Sequence, residues 1–316
     1  MKITSSFSLY GFMIVLLTGC GGANSNSTPT TPTTPTTPTT PTTPTTPTEP
    51  KHKVSFFIVA HPDDIELFMG KEAYYQIKDN LSDKKIFIVL TAGDADMKNN
   101  KYGRKTTWWE AREQAHTLAI KFWDNYKNSD VSEEVLINNR YVQKISLGSN
   151  ITLYNLRLLD KDSTTSLDDL THAGNIPLTD LKYKQTYTLD DIKTSLKEIV
   201  QNENNATIPV SFYLTDANRD RNPGDHKDHY ATTVIVENIY PEIKAECKNL
   251  SKYLSYSTKN LPINLNEEDK NRSFELWSLM NNKLYSLGWK KNDDENHMVL
   301  VAKEYISFKM GRDNCL

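Results

Sequence analysis

The chain has 316 residues, of which 37 are Lys or Arg and 40 are Asp or Glu, for a formal charge of −3. So weak a field, without any dense Lys/Arg cluster interleaved with aromatics, excludes nucleic acid as a partner and favours a small or neutral one. The first 50 residues read as non-globular, and the remaining 266 suffice for one large domain or two small ones.

The opening segment "MKITSSFSLYGFMIVLLTGCGG" has one lysine, an apolar stretch from Leu9 to Leu17, and small residues around Cys20. That is the layout of a secretory signal, too short and too soon followed by polar sequence for a durable membrane span. "LLTGC" resembles a bacterial lipobox, which implies cleavage before Cys20, lipidation of its sulfur and attachment to a membrane. With Gly21 next, the usual sorting rule sends such a protein to the outer membrane of the cell envelope. From Pro29 to Pro50 proline recurs at every third position. This is the period of a polyproline II helix, which at ~3.1 Å per residue reaches roughly 70 Å when fully extended. The predicted layout is a signal peptide (1–19), a lipidated cysteine with a Thr/Pro-rich linker (20–50) and a working domain (51–316).

In that domain "KVSFFIVA" (53–60) and "KKIFIVLTAGD" (84–94) read as buried strands. Each is followed by a helix-compatible stretch, "IELFMGKEAYYQIKDN" and "TTWWEAREQAHTLAIKFW". Strands are predicted at 151–158 and 208–215, with a helix between them capped by Thr188. Helices at 230–246 and about 266–287 and a strand near 298–308 complete the chain. Continuous apolar strands alternating with helices predict an α/β, Rossmann-like open sheet, mostly parallel, with helices on both faces. Cys247 and Cys315 form a candidate disulfide if the chain is exported. The absence of a CxxC spacing argues against a cysteine metal site.

Ligands of open α/β sheets bind beyond the carboxyl ends of the strands, and three predicted strand ends are polar. The first carries His61, Asp63 and Asp64; the second Thr91, Gly93, Asp94 and Asp96; the third, "TDANRDRNPGDHKDH", carries Asp225, His226, Asp228 and His229. Mixed imidazole and carboxylate ligands suit zinc, and two histidines with one aspartate leave a catalytic position open. Adjacent aspartates then offer one carboxylate for the metal and one to take a proton from water. Taken alone, "HPDD" also fits a turn with Asp63 or Asp64 capping a helix, and "HKDH" a helix start capped by Asp228. His52, His116, His172 and His297 read as surface or helix-face histidines.

"AHPDDIELF", "TAGD" and "GDHKDH" together resemble, in order, the motifs of the PIG-L/LmbE family of zinc-dependent de-N-acetylases. The resemblance implies His61, Asp64 and His229 as zinc ligands, another divalent metal being possible, and Asp63 as general base. It gives His226 the part of electrophile or acid and Asp228 that of orienting an imidazole. Arg112, with Arg104 competing for the same part and Asp94 beside them, is assigned to substrate contact. The chain departs from the family at Ile65, where many members carry a third acid, and at Lys227, which replaces a common proline. The implied function is removal of acetyl from an N-acetylated amino sugar or glycan outside the cytoplasm. The rivals are a zinc amidohydrolase for another acyl group and a non-catalytic glycan-binding lipoprotein.

Overall fold

Alternate residues of the first strand, β1 (Val54–Val59), enter opposite apolar layers: Phe57 and Val59 join one, Phe56 and Ile58 the other. A strand buried on both faces needs helices on both, and the rest of the chain supplies them. The structure is a computed structural model, and it describes residues 52–94, 106–160, 166–173, 176–290, 295–311 and 315. The lipobox with Cys20, the proline-rich stretch, Asp96 and Arg104 lie outside the described residues.

After β1 come α1 (Asp64–Phe68), α2 (Gly70–Asp79), β2 (Lys84–Thr91) and α3 (Trp108–Trp123). The antiparallel hairpin of β3 (Asp130–Ile137) and β4 (Arg140–Leu147) leads into β5 (Ile151–Leu158) and α4 (Leu167–Ala173). A two-stranded ribbon, β6 (Leu178–Thr179) and β7 (Thr186–Tyr187), precedes α5 (Leu189–Glu203), β8 (Val210–Thr215) and α6 (Lys227–Ile239). The chain continues through β9 (Lys248–Tyr253), α7 (Glu267–Ser286), α8 (Glu295–Met298) and β10 (Ile306–Met310). The main sheet has the order β10-β9-β8-β1-β2-β5-β4-β3. Its five central strands are parallel, and β10, β4 and β3 are antiparallel at the edges. Residues of α1, α2, α3 and α7 pack on one face and of α4, α5 and α6 on the other. The predicted fold class is the observed one.

Several boundaries differ from the predicted ones for local reasons. The helix expected over 65–80 is two helices, because Met69 leaves helical geometry (φ −139°, ψ 19°) between α1 and α2. The break frees the amides of Lys71 and Glu72, which donate to Glu304 Oε2 at 2.8 and 3.2 Å. The helix expected over 230–246 starts earlier, at Lys227, and ends in a 3-10 turn containing Pro241, which has no amide hydrogen to continue it. Residues 298–308 form not one strand but the end of α8, a connecting turn and the start of β10. The β3–β4 hairpin and β9 were not anticipated. The hairpin's charged outer strand hides its period, although Asn138 and Asn139, both at positive φ, make the tight turn that asparagine favours.

Thr188 caps α5 as predicted, in a reciprocal box with Asp191, and Thr107 caps α3 in the same way with Glu110. Cys247 and Cys315 are joined by a disulfide. No helix among the described residues is long and apolar enough to cross a membrane.

Candidate metal centre

Strands β1 and β8 are parallel neighbours, but β1 is followed by β2 on one side and β8 by β9 on the other. Divergence of the chain from adjacent strands opens a crevice at their carboxyl ends. Residues 61–64 follow β1 there, and 225–229 follow β8. The two motifs, more than 160 residues apart in sequence, thus face each other.

His61, Asp64 and His229 are 6%, 1% and 0% exposed, so their polar atoms must be satisfied within the protein or by a bound group. His61 Nδ1 lies 3.0 Å from His229 Nε2 and 3.4 Å from an oxygen of Asp64. His229 Nε2 is also 3.0 Å from Asp64 Oδ1. The opposite nitrogen of His229, Nδ1, is 2.7 Å from Asp225 Oδ1. A neutral ring that donates from Nδ1 to Asp225 presents a lone pair at Nε2. That lone pair points at a carboxylate oxygen and another imidazole nitrogen, so three electron-rich atoms converge. A cation resolves the conflict, and a set of two nitrogens and an oxygen suits zinc.

The ionisation preferences have the same origin. Burial opposes charge on His229, yet the carboxylates of Asp225 and Asp64 hold its pKa well above the usual value. Burial likewise opposes charge on Asp64, but His229 and His61 keep it well below the ordinary carboxylate range. The pocket therefore stabilises positive charge among these side chains, as a proton or as a metal ion.

Two other groupings around His61 also bring donor atoms within 4.8 Å: His61 with His226 and His229, and His61 with Asp160 and Asp228. The second uses the far nitrogen of His61, 3.6 Å from Asp160 Oδ2. That nitrogen and Asp228 Oδ2 are buried without a hydrogen-bond partner. The His61–Asp64–His229 set has contacts of 3.0 to 3.4 Å, and its His229 ring is held from behind by the Asp225 carboxylate at 2.7 Å.

Asp63 stands beside this set, paired with Arg112 Nη2. Arg112 Nη1 also donates to the Gly93 carbonyl at 2.6 Å. Gly93 has φ +58°, and a Cβ there would lie 2.1 Å from Arg112 Nη1, so glycine is required for both the turn and the approach. The two aspartates therefore differ in surroundings: Asp64 faces imidazoles, Asp63 a guanidinium. Asp63 occupies the position before α1, yet its side chain makes no capping bond. His226, not Asp228, caps α6, its Nδ1 accepting from the Asp228 amide at 3.3 Å. Burial, then the neighbouring His61 and His229, lower the His226 pKa to about 4, which favours a neutral ring with its proton on Nε2. Burial pushes Asp228 up to about 7.

The structure brings together His61, Asp63, Asp64, Arg112, His226, Asp228 and His229. Asp94 is buried nearby, where its Oδ1 accepts from the Asp160 amide at 2.9 Å and so fixes the chain beyond β5. The partner of the His229 ring is Asp225, whereas Asp228 accepts from the Asp168 amide at 3.3 Å. Asp160 went unnoticed although it ends β5 as His61 ends β1, so the strand-end rule would have found it. Tyr256 was missed for want of any motif; its ring stacks on His229 with centroids 5.6 Å apart and planes 5° from parallel. His116 is a buried helix residue, not a surface one, 2.7 Å from Glu66 Oε1. His52 and His172 are exposed, as read from the sequence. His297 is half-buried, its ring stacked on Trp277 at 5.9 Å.

Among solved structures the chain is similar to N,N′-diacetylchitobiose deacetylase from Pyrococcus horikoshii, complexed with its inhibitor MPG, at 12% identity and a TM-score of 0.44. That match covers 74% of this chain and 71% of that one. A deacetylase of the teicoplanin biosynthesis pathway matches at 14% identity and 0.42, over 74% and 86% of the two chains. The zinc-inhibited form of a teicoplanin deacetylase matches at 14% and 0.40, over 78% and 88%. No curated protein matches the sequence. The PIG-L family, described as GlcNAc-PI de-N-acetylase, matches residues 56–240, more than half of the chain, which therefore belongs to this family of metal-dependent N-deacetylases.

Proposed function

We propose that the chain removes the acetyl group from an N-acetylated amino sugar or glycan, using zinc held by His61, Asp64 and His229. The observation that carries this reading is the convergence of two imidazole nitrogens and the Asp64 carboxylate, with contacts of 3.0 to 3.4 Å, beside an aspartate pinned by arginine. Zinc, when bound, supplies Lewis acidity toward a water molecule and the amide carbonyl. Asp63, oriented by Arg112, takes a proton from the attacking water. The water oxygen bonds to the carbonyl carbon, and the N–H of His226 faces the oxyanion that develops. Cleavage of the C–N bond then requires a proton on the amine nitrogen, delivered by Asp63, which took it from the water, or by His226 with Asp63 restoring the proton to the ring, and the products are acetate and the free amine. Asp225 holds the His229 ring in its ligating tautomer.

The test is acetate release by the purified chain from a panel of N-acetylated sugars and oligosaccharides. Release from at least one is expected, and none from any would contradict the proposal. A second expectation concerns Gly93→Ala. The added methyl displaces Arg112 and frees Asp63, and misplacement of a catalytic group by 1 Å costs about 10²-fold. Acetate release should fall by that order with metal content unchanged; an unaltered rate would show that the Arg112 contact is dispensable.

The working site is proposed to lie outside the cytoplasm. The Cys247–Cys315 disulfide supports an oxidising compartment. The lipobox at Cys20 supports a lipid anchor in the cell envelope, with the Thr/Pro-rich segment as spacer. Substrate would then be an extracytoplasmic glycan.

A further inference from the structure

Next to Asp63 and Arg112 lies a small, partly open slot of ≈10 Å³. Pro62 and Ala115 form part of its wall, and the remainder comes from Trp277, Met280, Asn281 and Leu284 of α7. We propose that this slot receives the methyl of the substrate's acyl group and that α7 thereby restricts the enzyme to acetyl. The inference rests on the hydrolase reading above and supplies the acyl specificity that reading leaves open.

Three features carry it. The first is position: a general base must lie within about 2.6–3.2 Å of the water it deprotonates. That water attacks the carbonyl carbon, and the acyl methyl is one bond further, so the methyl must sit close to Asp63. The second is size, since about 10–15 Å³ of such volume holds a single water-sized group, which a methyl approximates. The third is chemistry. Ala115, Met280, Leu284 and Pro62 offer a methyl apolar contacts, with the Asn281 amide and the Asp63–Arg112 pair as the polar members of the wall.

The α7 residues lie beyond residue 240, where the family match ends. Acyl selection is thus built by this chain's own C-terminal segment. Trp277, Met280 and Leu284 follow one another at i, i+3 and i+7, the spacing of a single helical face, and all three are buried. Lengthening the acyl group by one methylene should meet this wall. One methylene in a fitted apolar pocket discriminates by about 10- to 200-fold.

The experiment compares release of acetate and propionate from N-acetyl and N-propionyl forms of the same amino sugar by the full chain. The wild-type protein should favour acetyl by about 10- to 200-fold in kcat/KM. Met280→Ala opens the slot and should raise the propionyl-to-acetyl ratio by about tenfold or more. Ala115→Val fills it from α3 and should lower acetyl kcat/KM by about tenfold with metal content and Tm close to wild type, so the inference is tested even if Met280→Ala folds poorly. Wild-type acetate release with an unchanged ratio in Met280→Ala, or an unchanged acetyl rate in a folded, metal-replete Ala115→Val, overturns the slot alone. A wild-type chain that releases neither acid overturns the hydrolase reading and the slot with it.

Discussion

Asp63→Ala should retain its metal and lose acetate release by about 10²- to 10⁴-fold, the usual contribution of a positioned general base. Metal should remain because the tight donor set is His61, Asp64 and His229, with Asp63 turned instead toward Arg112. Asp63→Asn separates the proton-transfer role from the pairing role. Its amide oxygen still accepts from Arg112 but is a far weaker base, so the rate should fall nearly as far as with alanine. Metal analysis and an acetate assay on the same preparations check both expectations. Full activity in either variant would remove Asp63 from the chemistry, and loss of metal would place it among the ligands.

His116→Ala should cost about 3–5 kcal/mol of stability, because it strands the Glu66 carboxylate in the core. Glu66 and His116 are 7% and 0% exposed, and their 2.7 Å contact joins α1 to α3 beneath the site. Burial raises the Glu66 pKa despite His116, and His116 is itself raised, against burial, by Glu66. In a domain of this size each kcal/mol lowers Tm by about 2–4 °C, so a drop of roughly 6–20 °C is expected. Replacing both residues by apolar ones of similar volume should restore much of that loss, since a buried pair is removed more cheaply whole than by halves. Chemical denaturation of the two single variants and the double variant measures the coupling. A loss in His116→Ala no larger than about 0.5 kcal/mol, typical of a surface change, would contradict the account.

Both predictions turn on how one-dimensional signals become contacts. The central strands and the helices on either face were legible because a strand buried on both sides writes a continuous apolar run, as "VSFFIV" and "KIFIVL" do. The opposition of His61 and Asp64 to His229 was legible for a related reason: strand ends of a parallel sheet gather on one edge. His116 was read only as a surface or helix-face histidine, although its register carried the clue to its burial. It stands four residues after Arg112 and so shares a face of α3 that turns toward α1. The acid that meets the His229 ring was not singled out. Asp228 is adjacent to His229 in sequence and points about 100° away around α6, whereas Asp225, a full turn earlier, meets the ring. Nothing in the sequence marked Tyr256 or the α7 wall. Their place depends on how the last third of the chain folds back on β8, α1 and α3, and side chains without catalytic chemistry carry no motif.

The most direct test of the central claim is metal titration of the metal-stripped chain, followed by acetate release from whichever N-acetylated sugar of the panel is turned over. The account predicts no release without metal and activity that rises with added zinc to a plateau near one equivalent per chain, as a single three-ligand site requires. Undiminished release from the stripped chain, or a plateau reached only at several equivalents, would contradict it.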